Sequence, residues 1–187
     1  MRRLARWCTC LFAVVASGCV AAPPWPATGD GPTPYTASQL RAAHPTGTRL
    51  RWRMTASGAR GLDQVTEFVG ADEFGVGMVQ WAERDGEVQG AKAESRATWE
   101  ELRDHAKFDA EMTTREAATV TVPAGTYPCW LYSVREVARP GVVQRYYFAR
   151  GHAGPPVLYV LLSDDEEQLR MELLEYRRGG PAPSGPR

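Results

Sequence analysis

The chain has 187 residues, 43 % of them apolar, with 22 basic and 22 acidic side chains, enough for one domain with a real core. A formal charge of zero argues against a nucleic-acid partner, which requires a net basic surface. All basic residues except Lys92 and Lys107 are Arg, and Ala, Gly and Pro are abundant, a bias that a GC-rich genome explains without assigning each guanidinium a role.

In chain order, Met1 to Gly18 reads as an export signal. Arg2, Arg3 and Arg6 form a positive start, Trp7 to Ala16 an apolar run, and Ala16-Ser17-Gly18 a stretch of small residues. The run is too short to span a bilayer, which takes roughly 20 residues as a helix. The ending Ala16-Ser17-Gly18-Cys19 resembles the lipobox of bacterial lipoproteins, with Ala16 where that family prefers Leu. The resemblance implies that diacylglycerol alkylates the Cys19 thiol, that residues 1–18 are cut away, and that the new amine is acylated. Two or three acyl chains suffice for stable membrane anchoring. Val20 in place of Asp after the Cys resembles an outer-membrane address facing the periplasm. The competing reading is ordinary cleavage after Ala22, giving a soluble secreted protein, although Pro23 would then constrain the scissile backbone.

Processing before Cys19 removes three Arg and leaves 19 basic against 22 acidic residues. Cys8 and Cys10 leave with the signal, Cys19 carries lipid, and Cys129 stands alone, so no intramolecular disulfide is expected. Residues 19–34 follow as the lipidated Cys and a Pro/Gly-rich tether. If extended at ~3.1 Å per residue, Val20 to Pro34 reaches roughly 45 Å, with Trp25 free to rest at a membrane interface.

Residues 35–176 carry the periodic pattern of a folded domain. Thr36 and Gln39 form a capping-box pair for a short helix ended by Pro45. Thr48 to Thr55 alternates Leu50, Trp52 and Met54 with Arg49, Arg51 and Arg53, the pattern of a half-buried strand. The Arg stripe is expected to pair with acids on a neighbouring strand. Strands around 63–69 and 73–83 follow, and Asp85-Gly86 predicts a hairpin into 87–94. Thr98 and Glu101 cap a second helix, 98–107, with Trp99, Leu102 and Ala106 on one stripe. Strands are predicted at 117–122, 126–137, 142–149 and 157–162 and from about Leu169. A three-residue Pro123-Ala124-Gly125 loop joins the first two, and the acidic turn 164–167 precedes the last. The tail 177–187 reads as disordered. The expected fold is mainly β (α+β): a single curved antiparallel sheet or half-barrel of about 8–9 strands with two short helices.

Several stretches together resemble a group of uncharacterised bacterial lipoproteins: Thr98-Trp99-x-Glu101-Leu102 with His105 and Phe108, Val122-Pro123-Ala124-Gly125-Thr126-Tyr127-x-Cys129, Arg145-Tyr146-Tyr147-Phe148-Ala149 and Gly154-Pro155-Pro156-Val157. The resemblance implies a fold and transfers no site. At the level of fold pattern alone, the sheet is also similar to the periplasmic lipoprotein-carrier (LolA-like) half-barrel, whose members hold acyl chains on a concave face.

His44, His105 and His152 are far apart in sequence, and no metal-ligand spacing, nucleophile elbow or paired carboxylate motif is present. No catalytic residue, metal or cofactor is therefore assigned. Cys19 is the one residue with assigned chemistry. The expected partners are the membrane, through that lipid, and either an envelope protein or an apolar ligand. For the last, Trp52, Trp81, Trp130, Tyr146 and Phe148 are the candidate ligand-facing aromatics on a concave sheet. An apolar cavity of several hundred Å³ would favour the ligand reading, and a filled core would exclude it.

Overall fold

The computed structural model describes residues 25–59 and 61–180. The signal, Cys19 and the last seven residues lie outside the described residues. Within them two short helices, α1 (Ala37–Ala43) and α2 (Trp99–Asp104), accompany nine strands: β1 (Arg49–Ala56), β2 (Leu62–Val69), β3 (Gly75–Arg84), β4 (Glu87–Thr98), β5 (Thr113–Val122), β6 (Gly125–Arg135), β7 (Val142–Ala149), β8 (Leu158–Ser163) and β9 (Glu166–Arg177). They form one antiparallel sheet in the order β4-β3-β2-β1-β9-β8-β7-β6-β5.

The order follows from the connections. Short connections make β1–β4 one meander and β5–β9 another, and each strand pairs with its successor. Asp85 and Gly86 both take positive φ (52° and 86°), as the turn between β3 and β4 requires. The segment through α2 carries the chain from the β4 edge to the β5 edge. The second meander then returns inward until β9 pairs with β1. Both helices begin with reciprocal capping boxes, Thr36 with Gln39 and Thr98 with Glu101, as their spacing predicts.

The sheet curls at the β5–β9 end. The Ala124 N–H, in the turn after β5, donates to the Leu173 carbonyl of β9 at 3.1 Å, although three strands lie between β5 and β9. Alternation along the strands defines two faces. One carries Trp52, Phe68, Met78, Tyr146, Phe148 and Met171 and lies beneath the helices. On the other, Cys129, Leu158, Val160 and Leu162 are buried where the sheet closes on itself. On that same face of β1–β3, the Arg stripe meets its acids. Arg51 Nε and Arg53 Nε donate to Asp63 at 2.9 Å each, and Arg49 Nη2 to Glu83 at 3.2 Å.

Several boundaries differ from the sequence reading. The loop between β5 and β6 has two residues, because Val122 and Gly125 pair directly. Strand β5 begins at Thr113 and α2 stops at Asp104. In the acidic run only Asp164 and Asp165 turn, at φ 50° and 65°, while Glu166 and Glu167 join β9. Residues 25–34 do not leave the domain as an extended tether. Gly31 N–H donates to Phe108 O and Ala110 N–H to Gly29 O, both at 2.8 Å, and Tyr132 Oη donates to Pro32 O. The tail also stays ordered past Arg177, since Arg178 donates to Ala42 O and Gly179 N–H to Thr48 Oγ1, both at 3.0 Å. In both places main-chain groups next to Pro and Gly find partners far away in sequence, which composition does not register.

Candidate functional site: an apolar cavity between helices and sheet

Between the helices and the sheet lies a partly open cavity of about 470 Å³. Its floor comes from the alternation of the strands: Trp52 of β1, Phe68 of β2, Met78 of β3, Tyr146 and Phe148 of β7, and Met171 of β9. Its roof comes from the helices: Tyr35 and Leu40 at α1, and Leu102 and Ala106 at and just beyond α2. Both helices are too short to cover a sheet this wide, so the space between them stays unfilled by side chains. Pro155 and Pro156 form one rim, held by the Trp52 Nε1–H donating to Pro156 O at 3.3 Å. The Tyr35 hydroxyl donates to Ala149 O at 2.6 Å and ties the start of α1 to β7.

Polar side chains share the walls, with Gln64, Thr66, Gln80, Ser95, Arg103 and His105 beside His44. Gln80 Nε2 donates to Thr66 Oγ1 at 3.2 Å. Tyr146 Oη donates to Gln144, which in turn donates to Glu136 at 2.7 Å. Burial pushes the Tyr146 phenol up to about 12, followed in weight by the neighbouring Tyr159 and Glu136. His44 is 1 % exposed, stacked on Phe68 at 4.5 Å, and neither ring nitrogen has a hydrogen-bond partner among the described residues. Burial, and secondarily His152, lowers its pKa to about 4. The Ala153 backbone opposes that shift slightly, without reaching normal hydrogen-bond geometry. His44 is therefore neutral at pH 7, and the cavity holds no buried charge from it.

Of the five aromatics expected to face a ligand, Trp52, Tyr146 and Phe148 line the cavity. Trp81 does not. It pairs with Val65 across β2, so it shares the Arg face, where its Nε1–H donates to Glu83 at 2.7 Å and Arg49 and Lys92 lie over its ring. Trp130 shares the face of its cross-strand partner Phe148 but lies outside the cavity, with the Arg115 and Arg150 guanidiniums 5.1 and 5.0 Å from its ring. A period of two assigns residues to faces only relative to one another, so aromatic content could not say which face was roofed. Leu40, Phe68, Met78, Leu102 and Met171 complete the lining. Their apolar periodicity was readable, but the gap between helix and sheet was not.

The histidines, scattered in sequence, are not all apart in space: His44 and His152 both pack against Tyr176, at 6.4 and 4.0 Å between ring centroids. Cys129 is fully buried and free, and burial pushes its thiol up to about 11. Among the described residues no group of three or more His, Cys, Asp or Glu could hold a metal ion, and no helix is long and apolar enough to cross a membrane.

An open antiparallel sheet with helices over one face and an apolar space between them defines the class of this domain. Solved structures of similar fold exist. The complex of MucA and MucB from Pseudomonas aeruginosa matches at a TM-score of 0.52 and 14 % identity, covering 78 % of this chain and 57 % of that one. A crystal structure of MucB matches at 0.50 and 15 %, covering 78 % and 58 %. MucB in complex with MucA(peri) matches at 0.51 and 13 %, covering 78 % and 56 %. At such identities what is shared is the fold, and the chain spans a little over half the length of these proteins. No family model and no curated protein matches the sequence.

Proposed function

We propose that this chain is a non-catalytic, lipid-anchored protein of the bacterial cell envelope whose domain binds an apolar ligand, such as an acyl chain, beneath α1 and α2. The observation that carries the proposal is the cavity of about 470 Å³, lined by Trp52, Phe68, Met78, Tyr146, Phe148 and Met171. Its size lies within the roughly 300–1,000 Å³ range of ligand sites, which are mostly apolar with a few placed polar groups. Anchoring rests on the signal and on Cys19, with Val20 supporting an outer-membrane address facing the periplasm.

The MucB structures support a second reading, in which the domain serves a protein partner, because that fold is found in complex with MucA. One experiment separates the two. Protein purified from membranes is examined by native mass spectrometry for a co-purifying lipid and by intact mass for acylation at Cys19. The ligand reading expects a released amphiphile that Met78→Asp, which sets a charge in the cavity floor, abolishes. A ligand-free parent that also fails to bind a fluorescent fatty acid would sink that reading and leave the protein-partner role. An unmodified N-terminus at Pro23 would rule out the anchor.

A further inference from the structure

Resting on the Cys19 anchor proposed above, we infer that the β5–β6 end of the sheet is a membrane-facing surface that binds anionic lipid headgroups. Trp25, Trp130, Arg115 and Arg150 are its contact residues.

The first argument is length. Residues 25–34 are fastened to the domain rather than lifting it away from the bilayer. Besides the main-chain bonds to Phe108 and from Ala110, Asp30 accepts an ion pair from Lys107 at 2.7 Å. Trp25 Nε1–H donates to Ala110 O at 3.1 Å, and its ring meets Tyr132 edge-on at 5.6 Å. The ring also folds back over Gly31, where an added Cβ would lie 2.6 Å from its Cζ2. Only the six peptide links from Cys19 to Trp25 remain as tether. At no more than ~3.6 Å per residue they reach roughly 20 Å, less than the width of the domain. Trp25 is therefore held close to the headgroups.

The second argument is chemistry. The Arg115 guanidinium lies 5.2 Å from the Trp25 ring and 5.1 Å from that of Trp130, and the Arg150 guanidinium lies 5.0 Å from the Trp130 ring. Trp25 and Trp130 are half-buried and Arg150 is exposed. Indole rings with guanidiniums over them suit the membrane interface, where Trp sits at headgroup level and Arg meets lipid phosphate. Two features at one place, the short tether and the Trp–Arg ladder, select a bilayer over a soluble partner. In the resulting orientation β5 lies next to the membrane, and the exposed β4 edge at the far end of the sheet faces away.

The test uses whole protein purified from membranes and reconstituted into vesicles of about 3:1 phosphatidylcholine to phosphatidylglycerol, with bromine on the phosphatidylcholine chains near the headgroup. Bromine quenches nearby indoles; Trp81 and Trp99 are buried away from the cavity, and Trp52, which lines it, is replaced by Phe in every protein compared. The expected result is quenching that disappears in Trp25→Phe/Trp130→Phe. The docked population should fall about fivefold in Arg150→Gln, the contribution of one Arg near an anionic surface, and more with Arg115→Gln added. Arg150 is exposed, so its replacement does not threaten folding. Equal quenching on pure phosphatidylcholine, or none in acylated protein on either vesicle, would overturn the proposal and leave the surface to a protein partner. If intact mass shows no acyl chain on Cys19, the anchor reading fails by itself. Vesicle binding by that soluble protein, weakened by salt and by Arg150→Gln, would still uphold the surface, and absence of binding would overturn it.

Discussion

His44 makes the stability of this domain depend on pH in a way that can be isolated. Its pKa falls from an ordinary 6.5 to about 4 on folding, so the unfolded chain binds the proton more tightly than the native one. The neutral ring's contribution is fully present above about pH 6.5 and is lost as pH falls toward 4. A shift of this size corresponds to about 3 kcal/mol, of which about 2 kcal/mol is gone by pH 5. The perturbation is His44→Phe, which keeps a ring over Phe68 and leaves no buried nitrogen to protonate. Urea titrations followed by far-ultraviolet circular dichroism at pH 7.5, 6, 5 and 4.5 give the stability of both proteins. The variant should match or exceed the parent at pH 7.5, since both ring nitrogens it removes are unpaired. The difference should then widen by about 2 kcal/mol in its favour at pH 5. Carboxylates shared by both proteins cancel in that difference. His152, whose pKa burial also lowers, leaves a residual slope in both. Parallel curves would refute the assignment of a buried neutral ring.

Three other substitutions and probes test different parts of the fold. Asp63→Asn removes the charge that Arg51 and Arg53 share at a carboxylate only 7 % exposed, leaving Arg51 with Glu83 at 3.7 Å, and should cost about 2–3 kcal/mol. That is less than the 3–5 of a fully buried pair because Arg53 is half in solvent; a loss under about 0.5 kcal/mol in denaturant unfolding would mean the network is ornamental. Burial raises the Asp63 pKa, and the hydrogen bonds and charges of Arg53 and Arg51 together lower it by more. Its contribution is therefore present above the ordinary carboxylate pKa and disappears as the native group protonates in acid. Thr98→Ala removes the side chain that accepts from Glu101 N–H at 3.1 Å. It should cost about 1 kcal/mol and speed hydrogen exchange in α2 before the sheet; uniform exchange would contradict a local cap. The Cys129 thiol, buried and shifted to about 11, should react with a thiol reagent only at the rate of opening, and immediate labelling of native protein would place it at the surface.

The architecture was readable because each of its signals is local. Alternation at 48–55, a capping box at each helix and Asp85-Gly86 between two strands all act within a few residues, and all three recur in the structure. The Arg stripe could be assigned acidic partners for the same reason, since a strand with one charged face needs countercharges from a neighbour, and Asp63 and Glu83 supply them. The stretches flanking the domain misled. Pro and Gly in 25–34 and 177–180 suggested free chain, yet these residues bond to Phe108, Ala110, Thr48 and Ala42. Composition reports what a segment lacks, and here the partners came from elsewhere.

By itself the sequence determined the antiparallel class, the two caps and the alternation of faces. All depend on neighbours a few residues apart. Only the tertiary structure decided that β9 closes on β1, that the helices roof the Trp52–Phe148 face and leave Trp81 on the other, and that a cavity stays open beneath them. Those outcomes depend on where two meanders meet and on how much sheet two helices of seven and six residues can cover. Pairing across more than a hundred residues is settled by packing, which no local pattern encodes.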